Sequence, residues 1–168
     1  MSCAKYRTAV ITLSDKGAAG ERKDESGPAI CERLRRTRQY EIVETLLLPD
    51  DRVLLEAQLV RLCDEKLADL ILTTGGTGFS GRDITPEATL AVAERSAPGI
   101  AEYLRFRSMQ ITPKAMLSRG VSVMRGDTLI INLPGSTKAV KENLDFLLPV
   151  LDHGLDIMLG RDGECGGR

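Results

Sequence analysis

Leu70-Ile71-Leu72-Thr73-Thr74-Gly75-Gly76-Thr77-Gly78-Phe79-Ser80-Gly81-Arg82-Asp83-Ile84-Thr85-Pro86-Glu87 runs from a buried-strand pattern to a helix start through four glycines. Leu70 to Leu72 and the β-branched Thr73 and Thr74 show no alternation, as in a central strand covered on both faces. The glycines that follow lack a Cβ, so the chain can take positive φ and bring backbone N–H groups close to a ligand. Successive N–H groups of this kind form a nest for phosphate oxygens. Thr85 reads as an N-cap and Pro86 as the first helical residue, adding the positive end of a helix dipole. Arg82 and Asp83 lie between glycines and cap, a cation suited to phosphate beside a carboxylate suited to Mg²⁺.

Two familiar phosphate motifs nearly fit and fail on physical grounds. Gly76, Gly78 and Gly81 satisfy the spacing GxGxxG, but the dinucleotide form needs its last glycine inside the helix, and Pro86 starts the helix later. Gly76 to Gly81 also has P-loop spacing, yet Arg82 and Asp83 stand where a Lys and a Ser or Thr belong. A plain structural turn remains the competing reading of the glycines.

The chain has 168 residues, 42% apolar and 28% charged, which suits one globular domain with its own core, expected over residues 1–160. A formal charge of −1 gives no bulk attraction to nucleic acid or to an anionic membrane, so any anion site is local. No stretch approaches the roughly 20 apolar residues of a membrane span, and Ala9 to Leu13 is too short for a signal-peptide core. A cytoplasmic location is expected. Cys3, Cys31, Cys63 and Cys165 are scattered, and His153 is the sole histidine. That pattern argues against zinc and for free thiols, with Cys31 and Cys63 on helices. A hydrolytic triad would have to use His153, so the chemistry is expected to rest on carboxylates, cations and backbone amides.

Outward from the glycine stretch, the chain alternates strands and helices. Tyr6 to Leu13 reads as a buried strand ending at Ser14-Asp15, and Lys16 to Glu25 as a charged, glycine-rich loop at a strand end. A helix follows from Ser26-Gly27-Pro28 to about Arg36. Tyr40 to Leu48 is a second strand stopped by Pro49-Asp50, and Asp50 or Asp51 caps a helix to about Glu65. Its apolar stripe is Val53, Ala57 and Val60, with Leu55, Leu59 and Leu62 adjoining. Helices are expected over Thr85 to Glu94 and Ile100 to Ser108, with a shorter one over Lys114 to Arg119 capped by Thr112. Gly126-Asp127 is a two-residue turn between Val121 to Arg125 and Thr128 to Leu133, a β-hairpin that makes the sheet mixed. Leu133-Pro134-Gly135-Ser136-Thr137-Lys138 then enters a last helix and forms a second anion cradle, since Gly135 permits close approach and Ser136 can cap. Gly160 to Arg168 reads as a disordered tail. The alternation predicts a three-layer α/β/α sandwich around a mostly parallel mixed sheet, with Ser14-Asp15, Asp50, Gly75 to Asp83 and Pro134 to Lys138 gathered at strand ends.

Thr74-Gly75-Gly76-Thr77-Gly78, with Arg82-Asp83 and Thr85-Pro86-Glu87-Ala88, resembles the signature of the molybdopterin-binding family, and the likeness extends over about Tyr6 to Leu159. Thr12 to Asp15, Asp24 and Ser26-Gly27 resemble its opening segment. The resemblance implies the molybdopterin-binding fold and, in its adenylylating branch, transfer of AMP from MgATP to the terminal phosphate of molybdopterin. It marks the Asp after the second strand's Pro, here Asp50, as needed for activity. On that footing Asp50 and Asp83 are the expected Mg²⁺ and polyphosphate ligands, and Gly75, Gly76, Thr77 and Gly78 the phosphate cradle. Ser14, Asp15, Gly135 and Ser136 would shape the nucleotide and pterin pockets. Arg82 would neutralise charge or pair with Asp83. The resemblance further implies a homotrimer and a downstream molybdenum insertase. A paralogous branch of the fold, a non-catalytic pterin carrier and an assembly module are the other readings.

Overall fold

A computed structural model describes residues 5–161 of the chain. The strands are β1 (Tyr6–Leu13), β2 (Tyr40–Leu48), β3 (Leu70–Thr74), β4 (Arg95–Ser96), β5 (Ser122–Arg125) and β6 (Thr128–Leu133). The helices are α1 (Asp15–Ala18), α2 (Ser26–Thr37), α3 (Arg52–Asp64), α4 (Thr85–Ala91), α5 (Pro98–Met109) and α6 (Thr137–Met158), with a 3₁₀ turn over Pro113–Leu117. One sheet runs in the order β2-β1-β3-β6-β5-β4. β1 is parallel to β2 and β3, and β3 to β6, while β5 and β4 add antiparallel pairings at one edge.

Both faces of the central strands are covered, which explains their unbroken apolar pattern. Val10, Leu70, Leu72, Leu129 and Ile131 face a core closed by α2 and α6. Their neighbours Ile11, Ile71 and Ile130 face the opposite core, under Leu55, Leu59 and Leu62 of α3 and Ala88 of α4. Each fully buried Leu or Ile contributes about 1.5–3 kcal/mol of transfer free energy. The Tyr40 hydroxyl donates to Asp152, and the Tyr6 hydroxyl to Asp156 Oδ1 at 2.7 Å, tying the far end of α6 to β1 and β2. The α/β/α layering and mixed sheet are as the alternation and the Gly126-Asp127 hairpin predict, with Gly126 at φ +53.

Several local expectations change. Thr85 is the first helical residue of α4 and not its cap, since its hydroxyl donates to Gly75 O at 2.9 Å. α4 ends at Ala91, short of Glu94, and the chain then adds the two-residue strand β4, which the sequence pattern does not mark. The Val53 stripe of α3 is turned outward at Val53, 74% exposed, and Ala57, with Val60 only partly buried, while Leu55, Leu59 and Leu62 are buried. Asp51 is the cap, accepting from Leu54 N–H at 3.0 Å. Lys16 to Glu25 is not loop throughout, because α1 occupies Asp15–Ala18 with Ser14 as its cap. The expected helix over 114–119 is a 3₁₀ turn, and Thr112 makes no side-chain cap. Cys31 and Cys63 are buried, free thiols on α2 and α3, and burial pushes Cys63 up to about 11. The glycine-rich tail lies, beyond Arg161, outside the described residues.

Candidate active site

β1 lies between β2 and β3, so the chain leaves its C-terminal end for one neighbour and reaches the other from the opposite side. Such a reversal opens a crevice beyond the strand ends. The crevice here is a cavity of about 420 Å³ that brings together Ser14, Asp50, Gly75, Gly76, Asp83 and Gly135. Thr12, Arg22, Lys23, Asp24, Glu25 and Thr137 are among the other residues of its wall. Asp15, Thr77, Gly78, Arg82 and Ser136 are not part of that wall.

The glycines are required by contact as well as by conformation. Gly75 has φ +96, and a Cβ there would stand 2.3 Å from Leu13 O. Gly76 has φ +64, and its Cβ would meet Thr85 Oγ1 at 2.4 Å. Close packing of this kind lets β3 turn sharply beside β1. Among the described residues, no protein acceptor takes the N–H groups of Gly76, Thr77 or Gly78, nor those of Gly135 to Lys138. The second group opens the 22-residue α6, whose Ser136 Oγ caps Ala139 N–H at 3.5 Å. The Thr74 hydroxyl donates to Pro134 O at 2.7 Å and fixes the spacing between these two sets of donors.

Carboxylates face these donors. Asp15 N–H donates to Asp50 Oδ2 at 3.1 Å, and Asp50 N–H returns to Asp15 Oδ1 at 2.9 Å, locking the ends of β1 and β2 together. Arg82 does not pair with Asp83. Its guanidinium forks onto Asp15 at 2.8 and 2.9 Å. Asp83 is held in a tight turn, its Oδ2 accepting Ser80 N–H at 2.9 Å. Burial raises Asp50 above the usual carboxylate range, and the charges of Asp15 and Asp83 push the same way against the hydrogen bond from Asp15 N–H. Asp15 is held low, first by Arg82 and then by the Asp50 amide. Two carboxylates that each accept the other's backbone N–H are thus driven in opposite directions, and Asp50 is left as the one that gains most from an added cation.

A second cavity, also of about 420 Å³, lies between α5, the 3₁₀ turn and α6. Ala101, Leu104, Ile111 and Ala115 give it an apolar lining, and Arg105, Lys114 and Lys138 set cations on its wall. The loop after β6 separates the two spaces. Gly135 and Thr137 line the first, whereas Pro134, Ser136 and Lys138 line the second.

Two residues carry more of the site than their sequence context suggests. Asp24 accepts the Thr12 hydroxyl at 2.8 Å and the N–H groups of Ser26 and Gly27 at 3.1 Å, so it fixes the start of α2 against β1. Its position just before a helix start is the available signal. Arg119 reaches the glycine loop from 41 residues away, donating to Gly78 O at 2.7 Å and Asp83 O at 2.8 Å and pairing with Glu87. No local pattern marks such a contact.

Fold and crevice together define an α/β protein with uncommitted backbone donors and two carboxylates on a crevice at the switch point of a mixed sheet. The chain belongs to the family described as "Probable molybdopterin binding domain", whose model matches residues 9–153. It is 45% identical over 141 residues to the molybdopterin adenylyltransferase of Escherichia coli strain K12, covering 83% of this chain and 72% of that protein. It is 41% identical over 157 residues to the molybdopterin adenylyltransferase of Helicobacter pylori strain J99, covering 90% and 86%. The crystal structure of the molybdopterin biosynthesis enzyme MoaB from Thermus thermophilus superposes with a TM-score of 0.87 at 45% identity, covering 92% of this chain and 97% of that one.

Proposed function

We propose that this chain is a molybdopterin adenylyltransferase of molybdenum cofactor biosynthesis, working as a single domain over residues 1–160. It transfers AMP from MgATP to the terminal phosphate of molybdopterin and releases pyrophosphate. The observation that carries this reading is the crevice, where the uncommitted amides of Gly76, Gly135 and Thr137 share one wall with Asp50 and Asp83. The two relatives at 45% and 41% identity bear the name of this activity.

The reaction joins two phosphorylated substrates, and two cavities meet at one loop. ATP fits the crevice, its phosphates against the uncommitted amides of Gly76, Gly135 and Thr137 on the crevice wall, with Arg22 and Lys23 supplying positive charge. The pterin fits the apolar cavity, with its phosphate toward Ser136 and Lys138 on the shared loop. An oxygen of that phosphate forms the new bond to the α-phosphorus of ATP as the bond to the bridging α–β oxygen breaks. Pyrophosphate departs with the electron pair. A phosphate monoester with a second pKa of about 6 is largely dianionic at neutral pH, so no side-chain base is needed. Catalysis then rests on alignment and on donors aimed at developing charge.

Asp50 and Asp83 fit a magnesium ion. Burial and the neighbouring charges of Asp15 and Asp83 make negative charge at Asp50 costly without a cation. Magnesium is commonly held by one or two carboxylates together with substrate phosphates and waters. When bound, it neutralises the polyphosphate and eases departure of pyrophosphate. Among the described residues, no cluster of three or more His, Cys, Asp or Glu could hold a metal, so most of the ion's ligands would come from substrate and water.

The enzyme is proposed to act in the cytoplasm as a homotrimer and to pass its product to a molybdenum insertase. Among the described residues, no helix is long and apolar enough to cross a membrane. The second reading is a paralogous branch of the same fold with a different activity, or a non-catalytic carrier, that binds molybdopterin and makes neither product. Incubating the purified protein with molybdopterin and MgATP separates the two. The proposal requires pyrophosphate and adenylylated pterin in equal amounts. Pterin binding with neither product would transfer the case to the second reading.

A further inference from the structure

The glycine loop carries Asp83 without regular secondary structure between β3 and α4. It is anchored at its ends, where Gly75 O and Gly76 O accept from Thr85 at 2.9 and 3.1 Å. Between those anchors Asp83 holds Ser80 N–H from within the loop, and Arg119 grips the loop from outside. Arg119 Nε donates to Gly78 O at 2.7 Å, Nη2 to Asp83 O at 2.8 Å, and Nη1 pairs with Glu87 in the first turn of α4. Its own N–H adds a bond to Thr77 O at 2.9 Å. Glu87 is committed to this arrangement: Arg119 holds its carboxyl below the usual range, and its Oε2 is buried with no hydrogen-bond partner among the described residues.

The arginine is itself braced. Arg105 Nη1, on the wall of the apolar cavity, donates to Gly120 O at 2.6 Å and more weakly to Ser118 O at 3.4 Å. The strap Ser118-Arg119-Gly120 thus has its carbonyls tied toward one cavity and its side chain gripping the loop of the other. A planar guanidinium with fixed donor directions can hold several acceptors at set separations, which an ammonium cannot.

We infer that Arg119 is a positioning residue for adenylyl transfer, fixing the backbone of Gly78 and Asp83 so that the Asp83 carboxylate and the loop amides meet the polyphosphate in register. The inference rests on the proposed function. Arg119 touches no reacting atom and acts through the loop. A displacement of about 1 Å at the reacting centre costs on the order of a hundredfold in rate.

The test compares wild type with Arg119→Gln, Arg119→Lys and Glu87→Gln by steady-state kinetics and by hydrogen exchange of the unliganded proteins. Arg119→Gln is expected to lower kcat by about a hundredfold while the KM for molybdopterin stays within about twofold, because an alignment lost only in the transition state leaves ground-state binding unchanged. Exchange should accelerate at residues 76–83 and keep wild-type rates in β1, β3 and α6. Arg119→Lys should recover less than about a tenth of wild-type kcat, since charge returns without the fork. Glu87→Gln, which leaves Arg119 its two carbonyls, should fall between. Arg119→Gln with wild-type kcat, or with exchange accelerated throughout the sheet, would overturn the inference. If Arg119→Gln does not fold, Glu87→Gln decides in its place on the same two readings. A wild type that makes no product would sink the proposed function alone, and loop exchange in Arg119→Gln would still show whether Arg119 holds Asp83.

Discussion

Asp50 stands where burial and two neighbouring carboxylates oppose its charge. Its folded-state pKa is raised, so between the ordinary carboxylate value near 4 and that raised value the folded protein holds more protons than the unfolded chain. Stability therefore falls as pH rises through that window, and the penalty is complete above the raised value. Asp50→Asn is expected to melt higher than wild type at pH 7 without nucleotide and to lose turnover. Differential scanning calorimetry at pH 4 and pH 7 checks the sign, and the gain should be smaller at pH 4. Asp50 and Asp83 are legible as single residues because each follows a strand end marked by Pro49 or by glycines. Their partners are not, since the fork from Arg82 to Asp15 spans 67 residues and the sequence offers Asp83 next door.

At the scale of elements, the turn after β3 is the most constrained piece of backbone. Gly75→Ala puts a methyl group against Leu13 O at a positive φ, and strained φ/ψ alone costs about 1–3 kcal/mol. Urea unfolding should show a loss of at least that size. Gly81→Ala has open space and no positive φ, and should stay within about 0.5 kcal/mol of wild type. Strands β1, β2, β3 and β6 are readable because unbroken apolar or alternating runs of this length, bounded by Gly, Pro and Asp, suit a strand and are too short for a helix. The stripe on α3 is corrected for a physical reason. Val53, Ala57 and Val60 and the set Leu55, Leu59 and Leu62 both recur at helical spacing, and only the sheet beneath decides which set is covered. β4 and α1, of two and four residues, are too short to carry a period. Thr85 has the composition of a cap, yet the tight turn at Gly75 takes its hydroxyl first.

At the scale of the whole molecule, strand–helix alternation foretells the layers but not the strand order that opens the crevice between β1 and β3. The apolar cavity is equally hidden, because its lining comes from α5, the 3₁₀ turn and α6, which are brought together only by packing. Phe106, Ile111, Met116 and Leu117 are exposed on α5 and the turn after it, and Phe79 at the tip of the glycine loop. Apolar surface of this extent suits contact between copies, as the proposed trimer requires. Sedimentation equilibrium should read three times the 18.3 kDa chain mass, and a monomer at micromolar concentration would refute the trimer.

The crevice carboxylates are proposed to align ATP for transfer to a pterin phosphate held next door, and Asp83→Asn in single-turnover kinetics probes that role at the chemical step. With enzyme in excess over molybdopterin and saturating MgATP, the variant should bind the pterin as wild type does. It should form adenylylated pterin and pyrophosphate at least about a hundredfold more slowly, the scale expected when a group acting on transition-state charge is removed. Equal single-turnover rates in the two proteins, with equal pterin binding, would contradict it.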